Sequence, residues 1–150
     1  MIKQISVNTK FGWVSAYETN GQIFRIKFGK LKKQIKSEIL KEFKKNLLNF
    51  FNKKKNTIKT PHVIRGNSIQ KKVWLELTKI KFGQTRSYGE IAKKFKLSPR
   101  YVGKICSQNK LLLLVPCHRV IRTNGDMGGF TSVGGVKLKK KLLVFESNWI

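Results

Sequence analysis

The chain has 150 residues, the length of one domain or of two small ones sharing a core. Forty per cent of them are hydrophobic, with ten Phe, three Tyr and three Trp, which suffices for a packed core and excludes a disordered tail protein. Thirty-three Lys and Arg against seven Asp and Glu set the net charge at +26, which favours polyanionic partners, nucleic acid ahead of an acidic membrane surface.

In chain order, Ile2, Ile5 and Val7 predict a first strand that ends at a break, Phe11-Gly12. A second strand begins at Trp13, and Ile23, Phe24, Ile26 and Phe28 mark a third, with Asn20-Gly21 between them as a hairpin signal. From Leu31 the period changes. Leu31, Ile35, Ile39, Phe43 and Leu47 recur every four residues and align on one helical face that ends near Phe51. Residues 52–60 are polar and Lys-rich and precede Pro61, so the expected boundary separates a sheet-and-helix domain, 1–60, from a second domain, 61–150. In the second domain Ser68 is the expected cap of a helix with Ile69, Val73, Leu77 and Ile80 on its apolar face and Gly83 at its end. Ser87 and Glu90 have capping-box spacing for a short helix to Phe95. Lys96-Leu97 make a tight turn, and Ser98-Pro99 start another helix that reaches Gln108. Two short helices so closely joined fit a helix-turn-helix. Residues 136–146 read as a final helix with lysines on its outer face. The fold class is α+β: a small N-terminal antiparallel sheet with a helix, then a mainly helical C-terminal domain.

The lysines concentrate at residues 30–36, 41–45, 53–59 and 137–141, and each cluster either meets a ligand or faces solvent. Cys106 and Cys117 are the only cysteines, with no CxxC pair and no Cys/His cluster, so neither a disulfide framework nor structural zinc is expected. The first residues lack the apolar stretch of a signal peptide, and the longest apolar run, residues 111–115, is too short for a bilayer. A soluble, cytoplasmic protein with reduced thiols, no membrane partner and no cofactor is the expectation.

Cys117 is the one strong nucleophile candidate. A thiol attacks as its thiolate and needs a base or a positive field nearby. His118 is adjacent, but neighbours on a strand point to opposite faces. The pair cooperates if Pro116 ends the strand and the chain turns, or if a water bridges thiol and imidazole; otherwise Cys117 is a buried thiol and His118 incidental. Glu146 either orients His118, as in a triad, or is a solvated helix end. Arg100 and Tyr101 stand where a recognition helix meets DNA, within reach of phosphate or of a base stack. Gly103 inside that helix costs about 1 kcal/mol relative to Ala, which points to a close approach. Tyr88 either donates a hydrogen bond in a pocket or is a half-buried tyrosine.

Several motifs follow in order: Val73-Trp74, Ile80 before Gly83, Ser87-Tyr88, Ile91-Ala92, Arg100 with Val102-Gly103, and Asn109. Pro116-Cys117-His118-Arg119-Val120, Gly128-Gly129-Phe130, Gly135, Lys139, Leu142-Leu143 and Glu146 complete the series. In this ordered set, residues 66–146 resemble the O6-alkylguanine-DNA alkyltransferases, or methylated-DNA–protein-cysteine methyltransferases. The resemblance implies a repair protein that flips O6-alkylguanine out of duplex DNA and transfers the alkyl group, once and irreversibly, to Cys117. It makes His118 the base, acting through a water, and Glu146 the residue that orients His118. It puts Tyr88 beside the flipped base as a proton donor, Asn109 as a brace for the turn, and Lys139 as a support of the pocket. Arg100 becomes the finger that fills the gap in the duplex, with Ser98, Tyr101, Gly103 and Arg122 as further DNA contacts. Val120, Phe130, Thr131 and Ser132 join Tyr88 around the guanine. The implied partner is double-stranded DNA and the implied state a monomer.

Three departures stand out: Lys110 follows Asn109 where the family usually has Pro, Tyr101 replaces a small residue, and two extra residues precede Gly135. Three rival readings are a lesion-binding relative of the alkyltransferase-like kind, a helix-turn-helix DNA-binding regulator without chemistry, and a cysteine hydrolase. The presence of Cys117 argues against the first.

Overall fold

The computed structural model describes residues 1–130 and 132–147, and the chain divides into two compact units, Met1–Arg65 with Lys110–Leu112, and Gly66–Asn109 with the chain from Leu113 onward. In the first unit, β1 (Lys3–Thr9), β2 (Gly12–Thr19) and β3 (Gln22–Phe28) form an antiparallel sheet in the order β1-β2-β3. Asn20 and Gly21 have φ of 52° and 77°, the two positive values that a two-residue hairpin turn matching the strand twist requires. Alternate residues Ile5, Val7, Val14, Ala16, Ile26 and Phe28 are buried, and the helix α1 (Glu38–Phe51) buries Leu40, Phe43, Leu47, Phe50 and Phe51.

The helix begins seven residues later than the four-residue period from Leu31 suggested. Residues 31–36 instead follow the open edge of β1, where Gln4 and Ile35 exchange N–H···O bonds of 2.9 and 2.8 Å. Edge backbone groups need partners, and this pairing satisfies them. Ser37 then starts α1, its hydroxyl accepting from Leu40 N at 3.2 Å. On the other side of the sheet, Ile23 N donates to Pro61 O at 2.9 Å and Ile26 N to Lys110 O at 2.8 Å. These bonds explain why the unit continues past residue 60 and takes in a short later segment.

The second unit contains α2 (Ser68–Leu77), β4 (Arg86–Ser87), α3 (Tyr88–Phe95), α4 (Pro99–Ser107), a 3-10 turn (Cys117–Arg119), β5 (Val120–Ile121) and α5 (Gly135–Ser147). Asn67, not Ser68, caps α2, because its side chain and that of Gln70 form a reciprocal capping box. The helix stops at Leu77, six residues before Gly83, in tighter turns from Lys79 N to Glu76 O and from Ile80 N to Leu77 O. Ser87 and Glu90 cap α3 as their spacing suggests, and Lys96, in the left-handed region at φ 56°, ends it. Ser98 caps α4 with Pro99 as its first residue.

Two buried polar contacts lock these helices. Trp74 Nε1 donates to Ile105 O at 3.0 Å, tying α2 to α4. Glu76 accepts from Arg86 at 2.7 Å and from Lys94 at 2.9 Å, and the Arg86 bond, with help from Lys94 and Lys79, overcomes burial and holds its carboxyl at about 2. Strands β4 and β5 pair in parallel, Arg86 with Val120 and Ser87 with Ile121, which sets the start of α3 beside the chain leaving the 3-10 turn. Helix α5 turns Leu138, Leu142 and Phe145 inward. Lys137, Lys140 and Lys141 are exposed as expected, but Lys139 and Glu146 are fully or almost fully buried, so the outer-face reading fails for Lys139. The result is a mixed α/β protein with one antiparallel three-stranded sheet and five α-helices among the described residues. None of the described helices is long and apolar enough to cross a membrane.

Candidate active site

The apolar run at residues 111–115 is not a continuous strand. Leu111 and Leu112 make isolated bridges, and Leu113 then takes φ 75°, a strained value for a residue with a side chain. Asn109 braces the bend by donating from Nδ2 to Val115 O at 2.7 Å. After Pro116 the chain winds into the 3-10 turn, with Arg119 N donating to Pro116 O at 2.9 Å. A turn at this point abolishes strand alternation. Cys117 faces a pocket while His118 is buried against α5.

His118 Nε2 lies 2.9 Å from Glu146 Oε2, and both side chains are buried. Arg119 grips the same carboxylate with Nε at 2.8 Å from Oε1 and Nη2 at 2.8 Å from Oε2, while Nη1 donates to Ile80 O at 2.7 Å. Burial works against ionisation of Glu146, but the His118 and Arg119 bonds outweigh it and hold the carboxyl at about 2. An ionised carboxylate only accepts, so Nε2 of His118 carries the proton and Nδ1 keeps the free lone pair. Burial keeps His118 below its ordinary value despite Glu146, with Arg119 and Lys139 adding to the effect. It is a neutral base.

Cys117 is 6% exposed, and burial pushes its thiol up, opposed by a hydrogen bond from Asn109 and the charge of Lys139. Lys139, wholly buried, spends its three donors on Val120 O at 2.6 Å, Tyr88 Oη at 3.2 Å and Gly129 O at 3.3 Å. Burial lowers its pKa. Burial raises that of Tyr88, with the neighbouring Cys106 and Cys117 acting in the same direction. Because Lys139 donates to Tyr88 Oη, the phenol keeps its own O–H free to donate.

The pocket has a volume of about 520 Å³, within the usual range for a small-molecule site. Tyr88, Cys106 and Cys117 line it, with Pro99, Arg100, Gly103 and Ser107 from α4 and its N-terminal end. Arg122, Thr123, Gly128, Gly129 and Phe130 complete the wall. Gly128 has φ +71°, and a Cβ there would come within 2.9 Å of the Tyr88 ring. A Cβ on Gly103 would meet the same ring at 3.9 Å, an ordinary van der Waals contact, so the close approach expected from a helical glycine is not found on the Tyr88 side.

A family model described as the DNA-binding domain of 6-O-methylguanine DNA methyltransferase matches residues 68–148, more than half of the chain. The chain belongs to that family. A methylated-DNA–protein-cysteine methyltransferase of Metallosphaera sedula is 41% identical over 107 residues, covering 71% of this chain and 67% of the relative. The fold superposes on Mycobacterium tuberculosis O6-methylguanine methyltransferase with a TM-score of 0.88 at 24% identity, over 100% of this chain and 95% of the other. It also superposes on Mycobacterium tuberculosis OGT in complex with DNA, with a TM-score of 0.86 at 25% identity, over 96% and 92% of the two chains.

Among the residues singled out in the sequence, Tyr88, Arg100, Gly103, Cys117, Arg122 and Phe130 border the pocket. His118, Glu146, Asn109, Lys139 and Val120 stand behind it in the hydrogen bonds given above. Ser98 uses its hydroxyl as the α4 cap, and Tyr101 is 41% exposed without lining the pocket. Ser132 is partly buried outside the lining, and Thr131 lies outside the described residues. In this family member, sequence reasoning overlooked Arg119 and Cys106. The signal for Arg119 was available in its place next to His118, since a buried carboxylate with one neutral partner would remain undercompensated.

Proposed function

We propose that the protein repairs O6-alkylguanine in double-stranded DNA by moving the alkyl group to Sγ of Cys117. It is a DNA-repair methyltransferase of its family, and each chain acts once. The observation that carries the assignment to Cys117 is the thiol in the wall of a base-sized pocket, beside Tyr88 and directly ahead of the buried His118–Glu146–Arg119 cluster.

In the proposed mechanism His118 Nδ1 accepts the thiol proton through a water. The sulfur attacks the alkyl carbon, the bond from that carbon to O6 breaks, and the electron pair stays on guanine. Tyr88 donates its O–H proton to the departing base, and the Lys139 ammonium stabilises the phenolate that forms. Asn109 and Lys139 stabilise the thiolate while it exists. The product is a thioether, which is not readily hydrolysed, so the alkyl group stays on the sulfur.

Alkylated O6 lies inside the base stack, so the nucleotide must be extruded at a cost of a few kcal/mol. In this reading α3 and α4 act as a helix-turn-helix, and Arg100 fills the vacancy from the N-terminal end of α4. Ser98, Tyr101, Gly103 and Arg122 approach the DNA around it, while Val120, Phe130, Thr131 and Ser132 bound the guanine. The second unit carries this chemistry, and the protein works as a monomer in the cytoplasm. The test is a peptide map after mixing the protein with a duplex containing O6-methylguanine. A single methyl group on Cys117 is expected, and bound DNA without an adduct would overturn the assignment in favour of a lesion binder.

A further inference from the structure

The first unit holds a groove of about 650 Å³ that the repair chemistry leaves unused. Its wall is the segment at residues 30–36, held against β1 by Ser6 N donating to Gln34 Oε1 at 2.9 Å and Leu31 N donating to Ser6 Oγ at 2.7 Å. Were this stretch helical, as its period suggested, its lysines would spread around a cylinder. Extended along the sheet edge, it brings Lys30, Lys32 and Lys36 to the groove, and α1 adds Lys41 and Lys44 from one face. All five are exposed, and of these Lys41 is paired with Glu38 at 3.2 Å. The floor is apolar, with Val7, Leu31 and Leu48 around a partly exposed Trp13. The Lys30 ammonium rests 4.6 Å from the centre of the Trp13 ring.

We propose that this groove is a second nucleic-acid site, which takes a single strand. Lys30, Lys32, Lys36 and Lys44 neutralise phosphates, and a base stacks on Trp13 as Lys30 swings from the ring to the backbone. Charge complementarity selects a polyanion, and an aromatic ring on an apolar floor among lysines is the chemistry that distinguishes a strand with unstacked bases from a duplex or an acidic peptide. Base stacking needs no particular sequence, so such a site reads no lesion.

The test uses the full chain and a fluorescent oligothymidylate, followed by anisotropy at several salt concentrations. Replacing the four lysines together (K30E, K32E, K36E and K44E) should weaken binding at least tenfold and lower the salt slope by about 3, from about 0.7 per phosphate lost. Trp13→Ala should weaken it by between about fivefold and a hundredfold, the range for one stacked base, and Trp13→Phe should restore most of the loss. Both variants should still alkylate Cys117 with free O6-benzylguanine at the normal rate, which reports a folded second unit independently of the groove. Unchanged oligothymidylate affinity in the lysine variant would overturn the proposal. So would a loss in the lysine variant accompanied by no effect of Trp13→Ala and equal competition by polyglutamate, since that describes an acidic-peptide surface.

Discussion

Glu146 holds two basic side chains with one carboxylate, and most of the expected residue-scale behaviour follows from that. It keeps the proton on Nε2 of His118 and compensates the buried Arg119 charge. Glu146→Gln should lower the single-turnover alkylation rate by about 10²- to 10⁴-fold, the usual contribution of a positioned base. It should also cost about 3–5 kcal/mol in urea unfolding, because Arg119 is left buried without its partner. Normal kinetics in this variant would remove His118 from the mechanism. Acid should act on the same cluster. Folded His118 refuses a proton that the unfolded chain accepts below its ordinary value of 6.5, so stability is full above that value and declines as pH falls beneath it. Glu146, held at about 2, adds a second loss below the ordinary carboxylate value of 4.5. Melting temperature followed against pH should show both limbs, and His118→Asn should flatten the upper one. Cys117, His118 and Glu146 were legible in the sequence because thiol, imidazole and a scarce acid stand out in a chain with seven carboxylates. Arg119 offered only its place beside His118 as a signal, because its bonds to Glu146 depend on the packing of α5 against the 3-10 turn.

At the scale of elements, caps and turns were readable and periodicity alone misled. Ser87 and Glu90 marked the start of α3 correctly, since capping is a local bond between neighbours. That cap also places Tyr88, the first residue of the helix, against the pocket. Ser87→Ala should therefore cost about 1 kcal/mol of stability and slow alkyl transfer, whereas loss of Asn67 from the α2 cap should cost similar stability with little effect on rate. The Leu31 period ran into a segment that pairs with β1, because an open sheet edge outbid a helical face of only two residues. For a related reason the helical pattern alone misread Lys139, which the family resemblance had placed as a support of the pocket. A helix wheel assigns lysine to solvent, and nothing local announces that Val120 O, Tyr88 and Gly129 O wait on the inner side. For α4, Arg100→Ala should slow repair in duplex DNA far more than reaction with free O6-benzylguanine. Equal losses on the two substrates would remove Arg100 from the role of finger.

For the whole molecule, the charge of +26 and the ordered motifs pointed to DNA before any coordinates, while the inclusion of Lys110–Leu112 in the first unit came only with the fold. Nothing in the pattern of residues 30–36 or 110–112 reveals that both lie along edges of one small sheet, since those pairings join residues distant in sequence. Duplex affinity should fall steeply with salt as phosphates shed counterions. A flat response would mean that the lysines lie off the DNA path. The central claim is that Cys117 accepts one alkyl group and keeps it. The most direct measurement is a titration of the protein with excess duplex containing O6-methylguanine, counting restored guanines against chains. The account predicts a plateau at one guanine per chain, and no repair at all by Cys117→Ser. Repair that continues past one per chain, or that survives the loss of Cys117, would contradict it.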